Sequence, residues 1–367
     1  MFKSISLEEQ IIVHTSRLSE IEKLKISTLI LNNSIDWDSL VKKARRNKVL
    51  YLVVKNLENY NLERSIPKHL LSLINDSMSC NHSRNVVKLN ELEKIRLDFK
   101  SNNISFAPVK GSYLIPQVYK DYRVRKTNDI DCLIRRRDIK IIDEIMKSYG
   151  YQQGTYDSGC NNIVEVDKKK KMLYKTKMYN LLPYIKINDD ILGKPIIFDL
   201  SFALDFSLNA APVEEMLDTA VQTDMGIELL PEHFLVHMCC HHYREASNVA
   251  WMLIGKDLNL IKFCDVREFI LQKMNSESIA KTIQFAKKYN LEKAIYFTIY
   301  FTREIYNDGY ETEILNGLEI EDETFLYQFG QKDYDELQTR KKDFWTSLFS
   351  ESNADEIIKA PKFSNLI

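Results

Sequence analysis

The chain has 367 residues, 44% hydrophobic and 11% aromatic, enough for two or three packed layers or two domains with substantial cores. Its 51 Lys and Arg balance 52 Asp and Glu, so no global basic field recruits nucleic acid or membrane and any cationic site must be local. The six cysteines show no C-x-x-C pairing and no window approaches about 18 uninterrupted apolar residues, so a cytoplasmic protein with reduced thiols, no signal peptide and no membrane span is expected.

From Ser6 to about Tyr60, apolar residues recur every three to four positions: Ile11, Ile12, Leu18, Ile21 and Leu24, then Leu40, Val41, Ala44, Val49, Leu50, Val53 and Leu57. This spacing predicts helices, with "SIDW" capping the second run. Pro67 to Asn102 lacks Gly and keeps a helical period, which predicts one long helix leading directly into a strand. "ISFAPVKG" then reads as strand and turn, "SYLIPQVYKDY" as a short helix interrupted by Pro, and "NDIDCLIRR" as a buried strand. "RDIKIIDEIMKSYGY" is a helix ended by Gly150. Alternation in "NNIVEVDKKKKMLYKTK", "LPYIKIN" and "PIIFDLSFAL" predicts a hairpin and a further strand. From Pro231 to about Phe349 the pattern is helical again.

In a strand, alternate side chains share a face, so Asp129 and Asp131 lie together while Ile130 and Cys132 point into the core. Two carboxylates so close repel unless a cation lies between them, and hard oxygen ligands suit Mg²⁺, which commonly takes one or two carboxylates plus substrate phosphates. A pair of solvated strand-edge charges is the plainer alternative. Three neighbours bear on the choice. Lys110-Gly111-Ser112 sits at a strand-to-helix turn, where backbone N–H groups attract phosphate. Arg123, Arg125 and Lys126 lie just before the acids, as a polyphosphate passing between them would require. Asp199, between the inward-pointing Phe198 and Leu200 of "IIFDLSF", could complete a three-carboxylate cluster.

The runs "PVKGSYL", "YRVRKTNDIDCLI" and "IIFDLSF" resemble the uncharacterised nucleotidyltransferase family of bacteria within the DNA polymerase beta-like superfamily. Its pattern is a Gly-Ser or Gly-Gly turn opening a helix, an acid-x-acid on the next strand and a third acid on a later strand. "WDSLVKKARRNKVLYLVVKNL", "LLPEHFLVHMCCHHYRE" and "LNLIKFCDVREFI" resemble its helical flanks, so the resemblance spans Ile35 to Ile270. Gly111 precedes Asp129 by a gap longer than is usual in the superfamily, though typical of this family. Where the family often shows Leu-His after the third acid, Leu200 is followed by Ser201.

The resemblance implies an α/β (α+β) fold, with a polymerase-beta-like mixed sheet at residues 103–225 between helical regions at 1–102 and 226–367. It implies transfer of a nucleoside monophosphate, AMP from ATP, to a hydroxyl of a small molecule, peptide or protein, with pyrophosphate released. Asp129, Asp131 and Asp199 would hold two Mg²⁺ ions and Asp199 would favour deprotonation of the attacking hydroxyl. Gly111 and Ser112 would cradle the outer phosphates, and Lys110 and Arg125 would neutralise charge on the leaving group. The rival from another class is a silent nucleotide- or partner-binding scaffold or antitoxin of the same fold. A second enzymatic rival, transfer to nucleic acid, is disfavoured by the near-neutral charge.

Other segments attract attention. "HMCCHHYRE" crowds His237, Cys239, Cys240, His241 and His242, but on a helix His237 and His241 share a face that Cys239 does not, whereas Zn²⁺ needs about four convergent ligands. A packed or polar-face helix is expected there, with a substrate-facing His241 or His242 as the alternative. "DKKKKMLYKTK", which carries Tyr174 beside Tyr179, reads as a solvated hairpin rather than a nucleic-acid contact, and "IRRRD" as a loop or helix start with Arg135 as a minor phosphate-facing option.

Overall fold

The structure is a computed structural model that describes residues 5–19, 22–188, 194–223, 226–330 and 336–358. It divides into two compact units, one of residues 77–234 and one of residues 1–76 with 235–367. The expected Ile21 lies outside the described residues.

The first unit is built on a six-stranded mixed sheet. Its strands are β1 (Phe106–Pro108), β2 (Ile130–Ile134), β3 (Gln152–Asp157), β4 (Asn162–Glu165), β5 (Tyr184–Lys186) and β6 (Ile196–Ser201), in the order β1-β2-β6-β5-β3-β4. Only β2 and β6 run parallel; every other neighbouring pair is antiparallel. The long helix is present as Lys68–Ser101 and contributes residues 77–101 to this unit. Ile130, Cys132 and Ile134 of β2 and Phe198 and Leu200 of β6 pack with Leu92, Ile95 and Phe99 of that helix and with Ile142, Ile145 and Met146 of helix Ile139–Ser148. The period-two pattern thus puts one face of both strands into the core and leaves residues 131 and 199 on the other. Gly150, at φ +82, sits just past the helix end where a left-handed residue is needed.

One expectation fails here. "KKKKMLYKTK" is not part of a hairpin but a helix, Lys168–Lys177, following the β3–β4 hairpin. Lys, Met and Leu are unbranched at Cβ and lose little freedom in a helix, and the Asp167 side chain caps it by accepting from the Lys170 amide. "IRRRD" opens helix Ile139–Ser148 through a short turn, Arg136–Asp138. A small hairpin, β7 (Val221–Thr223) with β8 (Gly226–Glu228), follows helix Ala211–Asp218.

The other unit is helical. Leu7–Thr15 carries a capping box between Ser6 and Glu9, Trp37–Arg46 is capped by Asp36 accepting from the Ser39 amide, and Lys23–Leu31 and Leu50–Asn59 complete the N-terminal set. Leu24, counted as a core position by its spacing, is 82% exposed. Helices Leu260–Lys273, Ser276–Tyr289, Glu292–Ile305, Tyr310–Leu318 and Phe344–Phe349 follow, interrupted by a two-residue ladder of β9 (Gln328–Phe329) with β10 (Gln338–Thr339) that the helical pattern does not reveal. Among the described residues no helix is long and apolar enough to cross a membrane.

Candidate active site

Parallel pairing of β2 with β6 places Asp131 directly opposite Asp199. Asp129 lies one residue before β2 begins, in the bend that enters it, rather than within the strand. One oxygen from each of Asp129, Asp131 and Asp199 lies within 4.8 Å of the others, with Asp131 buried and the other two half-buried. Among the described residues this is the one cluster of three or more acidic, His or Cys side chains able to hold a metal.

The turn after β1 supplies the partners. Lys110 takes φ 50° and ψ −131°, a conformation costly for a side-chain-bearing residue, and its Nζ lies 2.5 Å from Asp131 Oδ1. The Asp131 amide donates to Ser112 Oγ at 3.0 Å and the Val109 amide donates to the Asp131 carbonyl at 3.0 Å, which lock the turn to the strand. Gly111 is required by contact: a Cβ there would stand 2.7 Å from Thr127 Oγ1. Thr127 Oγ1 in turn donates to the Asp129 carbonyl at 3.1 Å.

Charge in the cluster is unbalanced. Burial pushes the Asp131 carboxyl up to about 8, Asp129 and Asp199 push the same way, and Lys110 opposes them. Three converging carboxylates with the Lys110 ammonium at hydrogen-bond distance make a donor set that suits a hard divalent cation such as Mg²⁺. Asn180 donates to Asp199 Oδ1 at 2.8 Å and orients that carboxylate.

Arg125 is buried. Its carbonyl accepts from Asn85 Nδ2 at 2.9 Å and Asn81 Nδ2 at 3.4 Å, and its Nη1 donates to the Lys126 carbonyl. Arg123 forms a fork with Asp121, at 3.0 and 2.7 Å. Arg135 is buried too, paired with Glu214 and, at 2.7 Å, with Asp218, so its place is in a structural ion pair with helix Ala211–Asp218.

Several residues beside the acids carry no motif in the sequence. Lys88, in the long helix, donates to the Thr127 carbonyl at 2.5 Å. Burial lowers its ammonium to about 8; Asp129 raises it, while Arg84, Lys126 and Lys194 lower it further. Asn81, Asn85, Lys88 and Glu91 are all buried, and this polar row at three- and four-residue spacing was the signal that could have found them. Tyr174, in the helix read as hairpin, is raised by burial, by Tyr179 and by Asp199.

The histidine-rich helix, Pro231–Ala246, packs as expected. His241 Nε2 lies 3.5 Å from Glu245, which binds Lys262 at 2.6 Å, and His242 meets the Phe263 ring at 6.1 Å between centroids.

A family model described as "Uncharacterised nucleotidyltransferase" matches residues 33–307, beyond Ile270 where the motif resemblance ends. A search of curated proteins finds no match.

Proposed function

Because the chain belongs to the uncharacterised nucleotidyltransferase family, we propose that it transfers a nucleoside monophosphate, AMP from ATP, to a hydroxyl of a small-molecule, peptide or protein acceptor. The observation that carries the reading is the convergence of Asp129, Asp131 and Asp199 beside a Lys-Gly-Ser turn. The acceptor oxygen forms a bond to the α-phosphorus, the bond from that phosphorus to the bridging oxygen breaks, pyrophosphate departs with the electron pair, and the acceptor proton passes to water.

In this reading the three carboxylates hold Mg²⁺, most simply as two ions. Bound there, Mg²⁺ supplies positive charge to the phosphates and eases loss of the acceptor proton. In this reading Asp199, which accepts from Asn180, serves the acceptor side and favours deprotonation of the attacking hydroxyl. Lys110 brings the ammonium closest to Asp131 and neutralises charge gathering on the leaving group, with Arg125 assisting. Gly111 lets the turn close against Thr127, where a Cβ would collide, and so fixes the backbone N–H groups offered to phosphate in this reading. Ser112 accepts from the Asp131 amide, which leaves its hydroxyl proton to donate to a phosphate oxygen. The balance of 51 cations against 52 anions favours a small or protein acceptor over nucleic acid.

The test is label transfer from ATP carrying an α-phosphate label, offered small-molecule and protein fractions, with pyrophosphate release measured in parallel. The wild type should transfer label and release pyrophosphate in equal amounts. Asp131→Asn should lose at least about a hundredfold in rate, as removal of a single preorganised group commonly does. Full activity in that variant sinks the reading.

A further inference from the structure

Among the cations of the long helix, Arg84 and Lys88 have no part in the transfer reaction as described above, and Lys88 reaches the acid-bearing turn. They stand one helical turn apart, about 6 Å of axial rise, and so share a face. Lys88 is 8% exposed and its ammonium is tied to the Thr127 carbonyl, two residues before Asp129. The charges that bear on it are Asp129 on the acidic side and Arg84, Lys126 and Lys194 on the basic side. Arg84 has its Nε buried with no hydrogen-bond partner among the described residues.

Each feature costs stability. Like charges at this helical spacing repel, a buried ammonium without a matched carboxylate is poorly solvated, and an orphaned buried donor forfeits its bond to water. Such costs collected in one place, offset only in part by the Thr127 carbonyl and by Asp129, suit a site that takes an anionic ligand. The sign of that ligand follows from Asp129. Once this carboxylate is committed to a metal, its charge is no longer available to Lys88, and the two helix cations face an unanswered positive field. A polyanion long enough to span a helical turn, and lying against the metal-binding acids, answers it.

We propose that Arg84 and Lys88 form the subsite for the two terminal phosphates of the nucleotide donor, and hold pyrophosphate as it leaves. Lys126 lies at the exposed edge of the same cluster. The assignment rests on the transferase reading and adds to it a binding element outside the Lys-Gly-Ser turn, contributed by a helix.

Calorimetric titration in Mg²⁺ tests it, using pyrophosphate, the nucleoside triphosphate that binds tightest and the corresponding monophosphate. Arg84→Gln and Lys88→Gln should each weaken pyrophosphate and triphosphate at least tenfold while leaving the monophosphate within twofold, and Lys88→Arg should restore most of the loss. Equal weakening of all three ligands, as a merely structural lysine would produce, overturns the proposal. So does triphosphate binding that needs Asp131 but ignores both cations, an outcome that leaves the transferase reading standing. A wild type that binds no triphosphate removes the transferase reading itself. Should Lys88→Gln fail to fold, the half-exposed Arg84→Gln carries the comparison alone.

Discussion

Asp131 is 4% exposed, opposite Asp199 and within reach of Asp129, and its carboxyl resists ionisation. An acid whose folded pKa lies above its unfolded value of 3.8 contributes stability that is fully present below about pH 4 and is lost as the pH rises toward about 8. In chelator, the unfolding free energy should therefore decline across that interval. Asp131→Asn, unable to ionise, should flatten the decline, and so should Mg²⁺ in the wild type; equilibrium denaturation at a series of pH values reads both. A decline as steep in the variant as in the wild type would place its origin elsewhere. The acids were legible in the sequence because carboxylates alternating with, or flanked by, core residues in a strand are expensive unless they serve a purpose. Lys88 and Asn180 were not, since each belongs to the site only through the packing of an element distant in the chain.

At the scale of elements, the site depends on the turn between β1 and helix Gly111–Leu114. Gly111→Ala would press a methyl carbon into Thr127, whose Oγ1 and Cβ would lie at 2.7 and 2.8 Å. Thr127 cannot retreat freely, because its hydroxyl holds the Asp129 carbonyl and its own carbonyl holds Lys88. The substitution should cost about 1–3 kcal/mol, as overpacking does, measured by denaturant unfolding, and should weaken triphosphate binding more than that loss of fold alone would. The strands and long helices were readable because their apolar periods agree with the burial they achieve. Lys168–Lys177 was misread because the short alternating run before it is real strand, β4, and the lysines that follow carry no apolar period to mark the change. The β9–β10 ladder, two residues per strand, is too short to show a period at all.

At the scale of the whole molecule, the helical unit has its own pH response, separable from that of the acids. His14 is 2% exposed, and burial together with Lys25 lowers its pKa from 6.5 to about 4, with Glu22 opposing. The unfolded chain then takes up the proton first, so stability falls as the pH drops from 6.5 to about 4, by up to roughly 3 kcal/mol. His14→Phe should remove that acid limb without altering the decline assigned to Asp131; calorimetric melting at pH 4.5 and pH 7 compares them. The order of regions, helical, then sheet, then helical, could be read along the chain, whereas the joining of residues 1–76 with 235–367 into one unit could not, because contacts between distant segments leave no local pattern.

In the proposed function, the three carboxylates and the Lys-Gly-Ser turn bind a nucleoside triphosphate together with Mg²⁺. Thermal unfolding of the wild type and of an Asp129→Ala/Asp131→Ala variant, with ATP, GTP, CTP and UTP in turn and with or without Mg²⁺, tests it most directly. A ligand present at about 100 times its dissociation constant adds roughly 2.7 kcal/mol, a shift of midpoint readily measured. Mg²⁺-dependent stabilisation of the wild type, strongest with ATP and lost in the variant, is expected. No stabilisation by any nucleotide, or stabilisation that survives removal of both acids, would contradict it.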